Sequence, residues 1–245
     1  MIEAVTFDVT GTLFAIPRLG EIYSAVLARH GVRVHPHDAR RLIGVVWQEL
    51  DCLADPSQDR FTAHPEGERG WWMRFLERFC EHLGVPPPSR FVAAELYHRF
   101  GTAEPYEIFP EVPQVLDALA RHEVRMGVVS NWDHRLPGVL EQLDLARFFG
   151  DAIVYSAAAG VEKPDPRIFG EVLAKLGVAP EAALHVGDRR LDDVEGAMAV
   201  GMRTLHLTRG SAAGDLRDLS GLPGLVASER AGPPGRRRPR PVLDL

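Results

Sequence analysis

The sequence predicts an α/β fold: a doubly wound parallel sheet with a block of helices inserted near its beginning. Five short apolar runs have the length of buried strands, and their nearly continuous hydrophobicity is typical of parallel strands covered on both faces. Helical patterns separate these runs, and the long stretch after the first run shows helical spacing only.

In chain order, the strands are predicted at residues 2–7, 125–129, 152–155, 184–186 and 204–207. Helix signals lie between them. Pro113 stands in the first turn of a helix over residues 114–122. A second helix begins with Asp165 as its N-cap, and a third is predicted to begin at Asp192-Asp193.

The inserted block shows four helical patterns: LGEIYSAVLARHG, ARRLIGVVWQELDCL, GWWMRFLERFCEHLG and FVAAELYHRF. Because no strand interrupts them, they predict a separate helical cap. Trp72, Phe75 and Phe79 recur at helical spacing, which favours the interior of this cap over the wall of a substrate pocket. Residues 55–69 are polar and interrupted by proline, which predicts a mobile loop.

These patterns divide the chain into a two-part core, a cap and a tail. The core is predicted at residues 1–15 and 101–228, and the cap at residues 16–100. Residues 229–245 are rich in Pro, Gly and Arg and have little to bury, so we predict a disordered tail. We expect its arginines to be solvated rather than bound to nucleic acid or membrane.

Composition limits the classes of function. The chain has 245 residues, 45% hydrophobic and 25% charged, with a net charge of −6, which does not favour nucleic acid or an anionic membrane as a partner. Cys52 and Cys80 are far apart and lack metal-ligand spacing, so neither a disulfide scaffold nor a zinc site is expected. With no signal-peptide pattern and no long apolar run, the expected location is the cytoplasm.

The first candidate for chemistry is Asp8, at the end of the first predicted strand. Open α/β sheets bind ligands at the carboxyl ends of their strands. Gly11 allows a sharp turn that exposes backbone N–H groups, and Thr12 adds a hydroxyl. A carboxylate beside such donors suits covalent phosphoryl or acyl transfer, although alone the pattern is equally typical of a turn.

Three further features follow later strands. Ser130-Asn131 supplies small polar groups, and Lys163 stands in a proline-flanked loop where its ammonium can neutralise a phosphate. Taken singly, the first is typical of a turn and the second of an exposed surface. Asp188 ends the fourth strand near Asp193, and carboxylates gathered beside the first strand imply Mg²⁺ between them, although Asp188 alone also suits a helix cap.

Together, in this order, the four features resemble the motifs of the haloacid dehalogenase-like (HAD) hydrolase superfamily with a helical type-I cap. DVTGTLF is similar to the first motif, VVSN to the second, EKPDPRIF to the third and HVGDRRLDDVEGAMAVGM to the fourth. The resemblance covers residues 1 to about 207. The Gly70-Trp71-Trp72 stretch and the SNWDHRL segment further resemble the HAD-domain-containing-3 group.

The resemblance implies a role for each motif residue. Asp8 would be the nucleophile that forms an aspartyl-phosphate and would also bind Mg²⁺. Ser130 would contact the phosphoryl oxygens with support from Asn131, and Lys163 would orient the nucleophile. The remaining metal-site residues that the resemblance implies are Asp188 as a direct ligand, Asp193 through water or as support, and the backbone carbonyl of Thr10.

Thr10 is a departure from the family pattern. Phosphatases of the family normally have a second Asp two residues after the nucleophile, as general acid and base, whereas this chain has threonine. A threonine hydroxyl forms hydrogen bonds but cannot shuttle a proton at neutral pH. Loss of such a group typically costs about 10²–10⁴ in rate, so slow hydrolysis is expected.

Three functions remain open. The favoured one is a Mg²⁺-dependent phosphatase that acts on a small phosphorylated metabolite. The second is a carbon–halogen hydrolase without a metal, in which Asp8 attacks carbon. Asp188 argues against it, because an unneutralised carboxylate there would oppose an anionic nucleophile and serve no purpose. The third is a protein of low catalytic activity that binds a phosphoryl ligand or a partner through its cap, which Thr10 favours.

Arg18, His134 and Arg135 follow the first two predicted strands closely in sequence and could meet an anionic substrate. We expect each of them at the surface. The sequence does not predict an oligomeric state.

Overall fold

The centre of the molecule is a five-stranded sheet in which all neighbouring strands are parallel. The computed structural model describes residues 1–231. The strands are β1 (Ala4–Phe7), β2 (Phe14–Ala15), β3 (Glu107–Ile108), β4 (Arg125–Ser130), β5 (Ile153–Tyr155), β6 (Ala183–Gly187) and β7 (Arg203–His206). The sheet has the order β5-β4-β1-β6-β7, while β2 and β3 pair separately in antiparallel fashion.

Helices after β3 cover both faces of this sheet, and four earlier helices form a separate block. The helices are α1 (Leu19–Arg29), α2 (Pro36–Asp51), α3 (Gly67–Leu83), α4 (Arg90–Arg99), α5 (Val112–Arg121), α6 (Leu136–Gln142), α7 (Ser156–Ala159), α8 (Pro166–Leu176), α9 (Gly196–Ala199) and α10 (Leu222–Ala231). Buried side chains of α5, α6 and α10 pack on one face, and those of α8 and α9 pack on the other. The predicted doubly wound α/β fold is confirmed.

All five predicted strands are present, with ends that differ by one or two residues. β1 begins at Ala4 rather than Ile2, and β4 continues to Ser130. The sequence did not predict β2 and β3, because two residues are too few to show a strand period. This ribbon joins the two points at which the chain leaves the core and returns to it.

The predicted helix starts are correct at α5 and α8 but wrong after β6. The Asp165 side chain accepts a hydrogen bond from the backbone N–H of Arg167 at 2.9 Å, as an N-cap of α8 should. After β6, however, a π-helix over Arg190–Glu195 precedes α9, so Asp192 and Asp193 lie inside the first turn rather than opening it. The Asp193 carboxylate accepts a hydrogen bond from the Arg189 backbone N–H, which holds this wider turn.

Helices α1 to α4 have a hydrophobic interior of their own. Phe75 and Phe79 are fully buried there, as expected, and Tyr23 packs on Phe79 with ring centroids 5.6 Å apart. Trp72 is only partly buried, and its expected place inside the block is therefore wrong in part: one side packs on Phe75 and the other faces the core domain.

The segment predicted as a mobile loop is a packed one. Residues 55–66 form turns, but α3 already begins at Gly67, so the last three residues of the predicted loop are helical. Phe61 and Asp59 are buried, and the backbone N–H of Asp59 donates to the carbonyl of Gly160 in the core at 3.0 Å. Composition does not reveal these contacts, because they depend on how the loop folds against the core.

The tail prediction fails at its first three residues. α10 continues to Ala231, and the ion pair between Glu229 and Arg203 holds the last turn against β7. Residues 232–245, which carry the rest of that prediction, lie outside the described residues. Within residues 1–231, no helix has the length and apolar character needed to cross a membrane.

Replacing Asp165 with alanine should lower the free energy of unfolding by about 1 kcal/mol, because the first turn of α8 loses its N-cap acceptor. Chemical denaturation of the two proteins measures the difference. Glu171→Ala on the same helix is the control, since Glu171 caps nothing; an equal loss in both variants would contradict a capping role.

Candidate active site

The candidate site lies where the central strands end. Asp8 directly follows β1, Ser130 is the last residue of β4, and Asp188 directly follows β6. Because these three strands are parallel neighbours, their carboxyl ends meet at one edge of the sheet. The topology therefore brings together residues that are up to 180 positions apart.

Asp8 is held by two donors on one oxygen. The Ser130 hydroxyl donates to its Oδ1 at 3.0 Å and the Lys163 ammonium donates to the same atom at 2.7 Å. The carboxylate is buried. Burial raises the pKa of Asp8 more strongly than the charge of Lys163 lowers it.

Lys163 bridges two carboxylates. Its Nζ lies 2.7 Å from Asp8 and 2.5 Å from Asp193. Burial alone would lower the pKa of Lys163, but the two neighbouring charges outweigh it and raise that pKa, so the ammonium is retained. Asn131 fixes the backbone at this point: its side chain accepts from the Lys163 N–H at 2.7 Å and donates to the Lys163 carbonyl at 3.0 Å.

The oxygens of Asp193 are already engaged. One accepts from Lys163 and contacts Nε2 of His185 at 3.3 Å, and the other accepts from the backbone N–H of Arg189 at 2.9 Å. Burial would raise the pKa of Asp193, but Lys163 and His185 outweigh it and lower that pKa. The other ring nitrogen of His185 meets the Thr6 hydroxyl at 2.8 Å. The sequence reasoning missed His185, although it lies within the HVGD motif.

Asp188 makes no ion pair among the described residues. Burial, followed by the charges of Asp8 and Asp193, raises the pKa of Asp188 to about 7. Carboxylate oxygens of these three residues lie within 4.8 Å of one another, with Lys163 as the cation that contacts two of them. An acidic cluster with one carboxylate left uncompensated fits a hard divalent cation.

Gly11 is required by the same cluster. A Cβ atom at this position would lie 2.3 Å from an oxygen of Asp188, and the φ of +88° disfavours any other residue. Because Gly11 has no side chain, the Asp188 carboxylate can pack directly against the loop after β1.

The two threonines of this loop face different ways. Thr10 is exposed to the cavity, and its Oγ1 accepts from the indole N–H of Trp132 at 3.3 Å. Thr12 is fully buried, and its hydroxyl has no partner among the described residues. The expected contact of the Thr12 side chain with a ligand is thus not supported, because the side chain packs into the core.

A cavity of about 370 Å³ lies between these strand ends and the helical block. Its floor is polar and contains Asp8, Thr10, Ser130, Asn131, Lys163 and Asp188. Its walls are largely aromatic and come from both parts of the chain. The aromatic lining residues are Tyr23, Trp47, Phe61, Trp72, Phe100, Tyr106 and Trp132.

Three arginines also line the cavity. Arg60, Arg135 and Arg189 come from the packed loop, from the start of α6 and from the turn after β6. The expectation that Arg135 lies at the surface is wrong: its side chain is 11% exposed, held by Asp133 and covered by the ring of Tyr97. Sequence reasoning missed Arg60 because its position depends on how the loop folds.

The other two residues expected at the surface are exposed. Arg18 has a side-chain exposure of 65%, pairs with Glu21 and does not line the cavity. His134 is exposed and contacts Glu68 at 3.1 Å.

Contacts also join the helical block to the core across the cavity. The indole N–H of Trp72 donates to Asp133 at 2.6 Å, and the Arg60 guanidinium binds Glu162 at 2.6 Å. Glu162 immediately precedes Lys163 in the sequence. The block thus contacts the loop that carries the central cation.

Comparison with known proteins agrees with this geometry. The human haloacid dehalogenase-like hydrolase domain-containing protein 3 is 32% identical over 206 residues, which cover 83% of this chain and 80% of that protein. A glyceraldehyde 3-phosphate phosphatase of Methanopyrus kandleri is 31% identical over 221 residues, covering 86% and 85%. The crystal structure of a 2-haloacid dehalogenase from Pseudomonas syringae superposes with a TM-score of 0.61 and 28% identity, covering 94% and 100%.

The family model for haloacid dehalogenase-like hydrolases matches residues 2–201, which include every strand end that contributes to the site. The resemblance inferred from the four motifs is therefore confirmed, and the chain belongs to the haloacid dehalogenase-like hydrolase family.

Proposed function

We propose that this hydrolase is a Mg²⁺-dependent phosphatase that transfers a phosphoryl group from a small phosphorylated molecule to Asp8. One observation carries the proposal: a single oxygen of Asp8 is held between the Ser130 hydroxyl and the Lys163 ammonium at the floor of a cavity. The similarity to an archaeal phosphatase supports it.

In the first step, Asp8 attacks phosphorus. Because Ser130 and Lys163 both bind Oδ1, they orient Oδ2 as the attacking oxygen. The new bond joins Oδ2 to phosphorus, and the bond from phosphorus to the leaving oxygen breaks. Lys163 and Ser130 then face the charge on the phosphoryl oxygens. In the second step, water attacks phosphorus and the bond between phosphorus and Oδ2 breaks. The water protons leave with the phosphate, and the Asp8 carboxylate is regenerated.

The residues that would hold Mg²⁺ are Asp8, Asp188 and the backbone carbonyl of Thr10. The cation would supply positive charge that offsets the carboxylates and the charge of the phosphoryl group. Asp193 has a different part in this proposal. Since its oxygens are engaged by Lys163, His185 and Arg189, it positions the ammonium of Lys163.

Thr10 limits the reaction at both steps. Its hydroxyl accepts from Trp132 and cannot protonate a departing oxygen at neutral pH. No histidine lines the cavity among the described residues, and the carboxylates of its walls are bound to arginines. The enzyme therefore depends on leaving groups that are stable as anions.

Carbon–halogen hydrolysis is the second candidate, because a 2-haloacid dehalogenase shares the fold at 28% identity. The Asp188 carboxylate has no cationic partner among the described residues and would repel a haloacid carboxylate on the same floor. This observation favours the metal-dependent reaction. If the protein released halide from 2-chloropropionate in the presence of EDTA, carbon–halogen hydrolysis would become the favoured function.

Asp8→Asn should lower phosphate release from 4-nitrophenyl phosphate by at least about 10³-fold, because an amide is a poor nucleophile. Steady-state assays with Mg²⁺ measure the loss, and Asp117→Asn on the surface is the control. Turnover at the wild-type rate would show that another residue attacks phosphorus.

The acidic cluster predicts a pH dependence of stability. In EDTA, the folded protein binds a proton at Asp188 more tightly than the unfolded chain does, because the pKa of this group is raised to about 7. This stabilisation is complete below about pH 4 and is lost as the pH rises through about 7. Mg²⁺ should remove the loss, since it binds the ionised carboxylates.

Thermal melting from about pH 5 to about pH 8, with EDTA or with Mg²⁺, measures this effect. Asp188→Asn is the matched comparison, because the amide does not titrate and binds the cation poorly. The difference in melting temperature between wild type and variant should therefore depend on both pH and Mg²⁺. A difference that changes with neither would contradict the assignment of Asp188.

Thr10 predicts a strong dependence on the leaving group. Aryl and acyl phosphates should react, and alkyl phosphates such as sugar phosphates should react far more slowly. Thr10→Asp should raise turnover of alkyl phosphates by about tenfold or more, since it places a carboxylate at the cavity. Rate constants for a series of phosphate esters measure both effects. Equal rates for alkyl and aryl esters in both proteins would show that another group supplies the proton.

A further inference from the structure

The residues that form the cavity walls would contact the leaving group of a substrate bound at the floor. We propose that the enzyme selects phosphate monoesters whose leaving group is a flat aromatic alcohol without a negative charge. This inference rests on the proposed phosphatase function, because it assigns the group opposite the phosphoryl site.

The first argument is the surface that the leaving group would contact. Above the polar floor the cavity is bounded by rings from both sides: Trp47, Phe61 and Trp72 from the helical block and Tyr106 and Trp132 from the core. A flat ring gains stacking and apolar contact on such walls. A triose or hexose has no aromatic face and would gain little from these rings, and the charged groups of the walls are already paired with one another.

The second argument is the charge on the walls. Arg60 binds Glu162 and Asp51, both at 2.6 Å. Arg189 binds Asp51 at 3.0 Å and Asp192 at 2.7 Å.

Arg135 completes this set. It binds Asp133 at 2.5 Å, and its guanidinium also lies over the rings of Trp72 and Tyr97. Three arginines thus face four carboxylates. Each of the three is already paired with a carboxylate, so a carboxylate or second phosphate on the leaving group would have to compete with these carboxylates and would be repelled by them.

The third argument comes from the floor and is independent of the walls. Thr10 cannot protonate the leaving oxygen, so a substrate that reacts well must leave as a stable anion. Phenolates satisfy this requirement and alkoxides do not. The floor and the walls therefore select the same class of ester by different physical means.

The volume agrees with this class. A cavity of about 370 Å³ is within the range that encloses ring-containing ligands and exceeds the need of a three-carbon phosphate. The inference thus departs from the substrate named for the archaeal relative, glyceraldehyde 3-phosphate.

The test compares two esters of nearly equal shape, 4-carbamoylphenyl phosphate and 4-carboxyphenyl phosphate, which differ by one negative charge. We expect kcat/KM with Mg²⁺ to be at least about tenfold higher for the amide. A non-enzymatic reference, the hydrolysis of both esters in buffer, corrects for the difference in leaving-group reactivity. Equal corrected values would overturn the inference.

A variant that removes one negative charge from the cavity wall tests whether these charges cause the selection. Asp51→Asn leaves the two arginines that Asp51 binds partly uncompensated, so it should raise the relative kcat/KM of the carboxylate ester by at least about threefold. Asp38→Asn removes an exposed carboxylate of the same helix outside the cavity and should leave the ratio unchanged. A shift in both variants, or in neither, would contradict selection by the charge of the cavity walls.

The two proposals fail differently. If neither ester is hydrolysed in a manner that requires Asp8, the phosphatase function itself is wrong and the inference falls with it. If both are hydrolysed through Asp8 at equal corrected rates, the phosphatase function stands and only the selection of neutral aromatic leaving groups is wrong.

Discussion

The ion bridge at Lys163 is the interaction on which the site depends. One buried ammonium lies between Asp8 and Asp193 and compensates two buried carboxylates that would otherwise repel each other. Its position is set from two directions. Asn131 binds the backbone of the lysine, and the chain from Thr6 through His185 to Asp193 holds the acceptor. Without the ammonium, Asp8, Asp188 and Asp193 would form a cluster of carboxylates with no neighbouring lysine to offset their charge.

This bridge also explains why the three carboxylates differ in character although they are neighbours. Asp193 shares the ammonium and the backbone N–H of Arg189, which stabilises its charge. Asp188 lies against Gly11 with no cation of its own among the described residues, which disfavours its charge. The site therefore combines a carboxylate whose charge is stabilised by its neighbours with one that has no cationic partner among the described residues. Environment rather than residue type separates the two parts.

The sheet and the floor of the site were predictable from sequence because both follow from local patterns. Apolar runs mark strands, and parallel topology places Asp8, Ser130 and Asp188 at one edge of the sheet. The walls were not predictable in this way. Arg135 carries a charge that favours the surface, and only its contacts with Asp133 and the Tyr97 ring show that it is covered. These contacts of Arg135 depend on how the helical block packs on the core, and the spacing of apolar residues in the sequence does not predict that packing.

The loop of residues 55–66 has a consequence for how this architecture can vary. Its Arg60 binds Glu162, one position before the lysine, and the backbone of Glu162 donates to Pro56 in the same loop. The segment that shapes the walls thus also supports the loop that bears the Lys163 ammonium. Exchanging the helical block for that of a relative would disturb both unless Arg60 and Glu162 were exchanged as a pair. Under the proposed function, a change in this loop would therefore alter substrate preference and reactivity together.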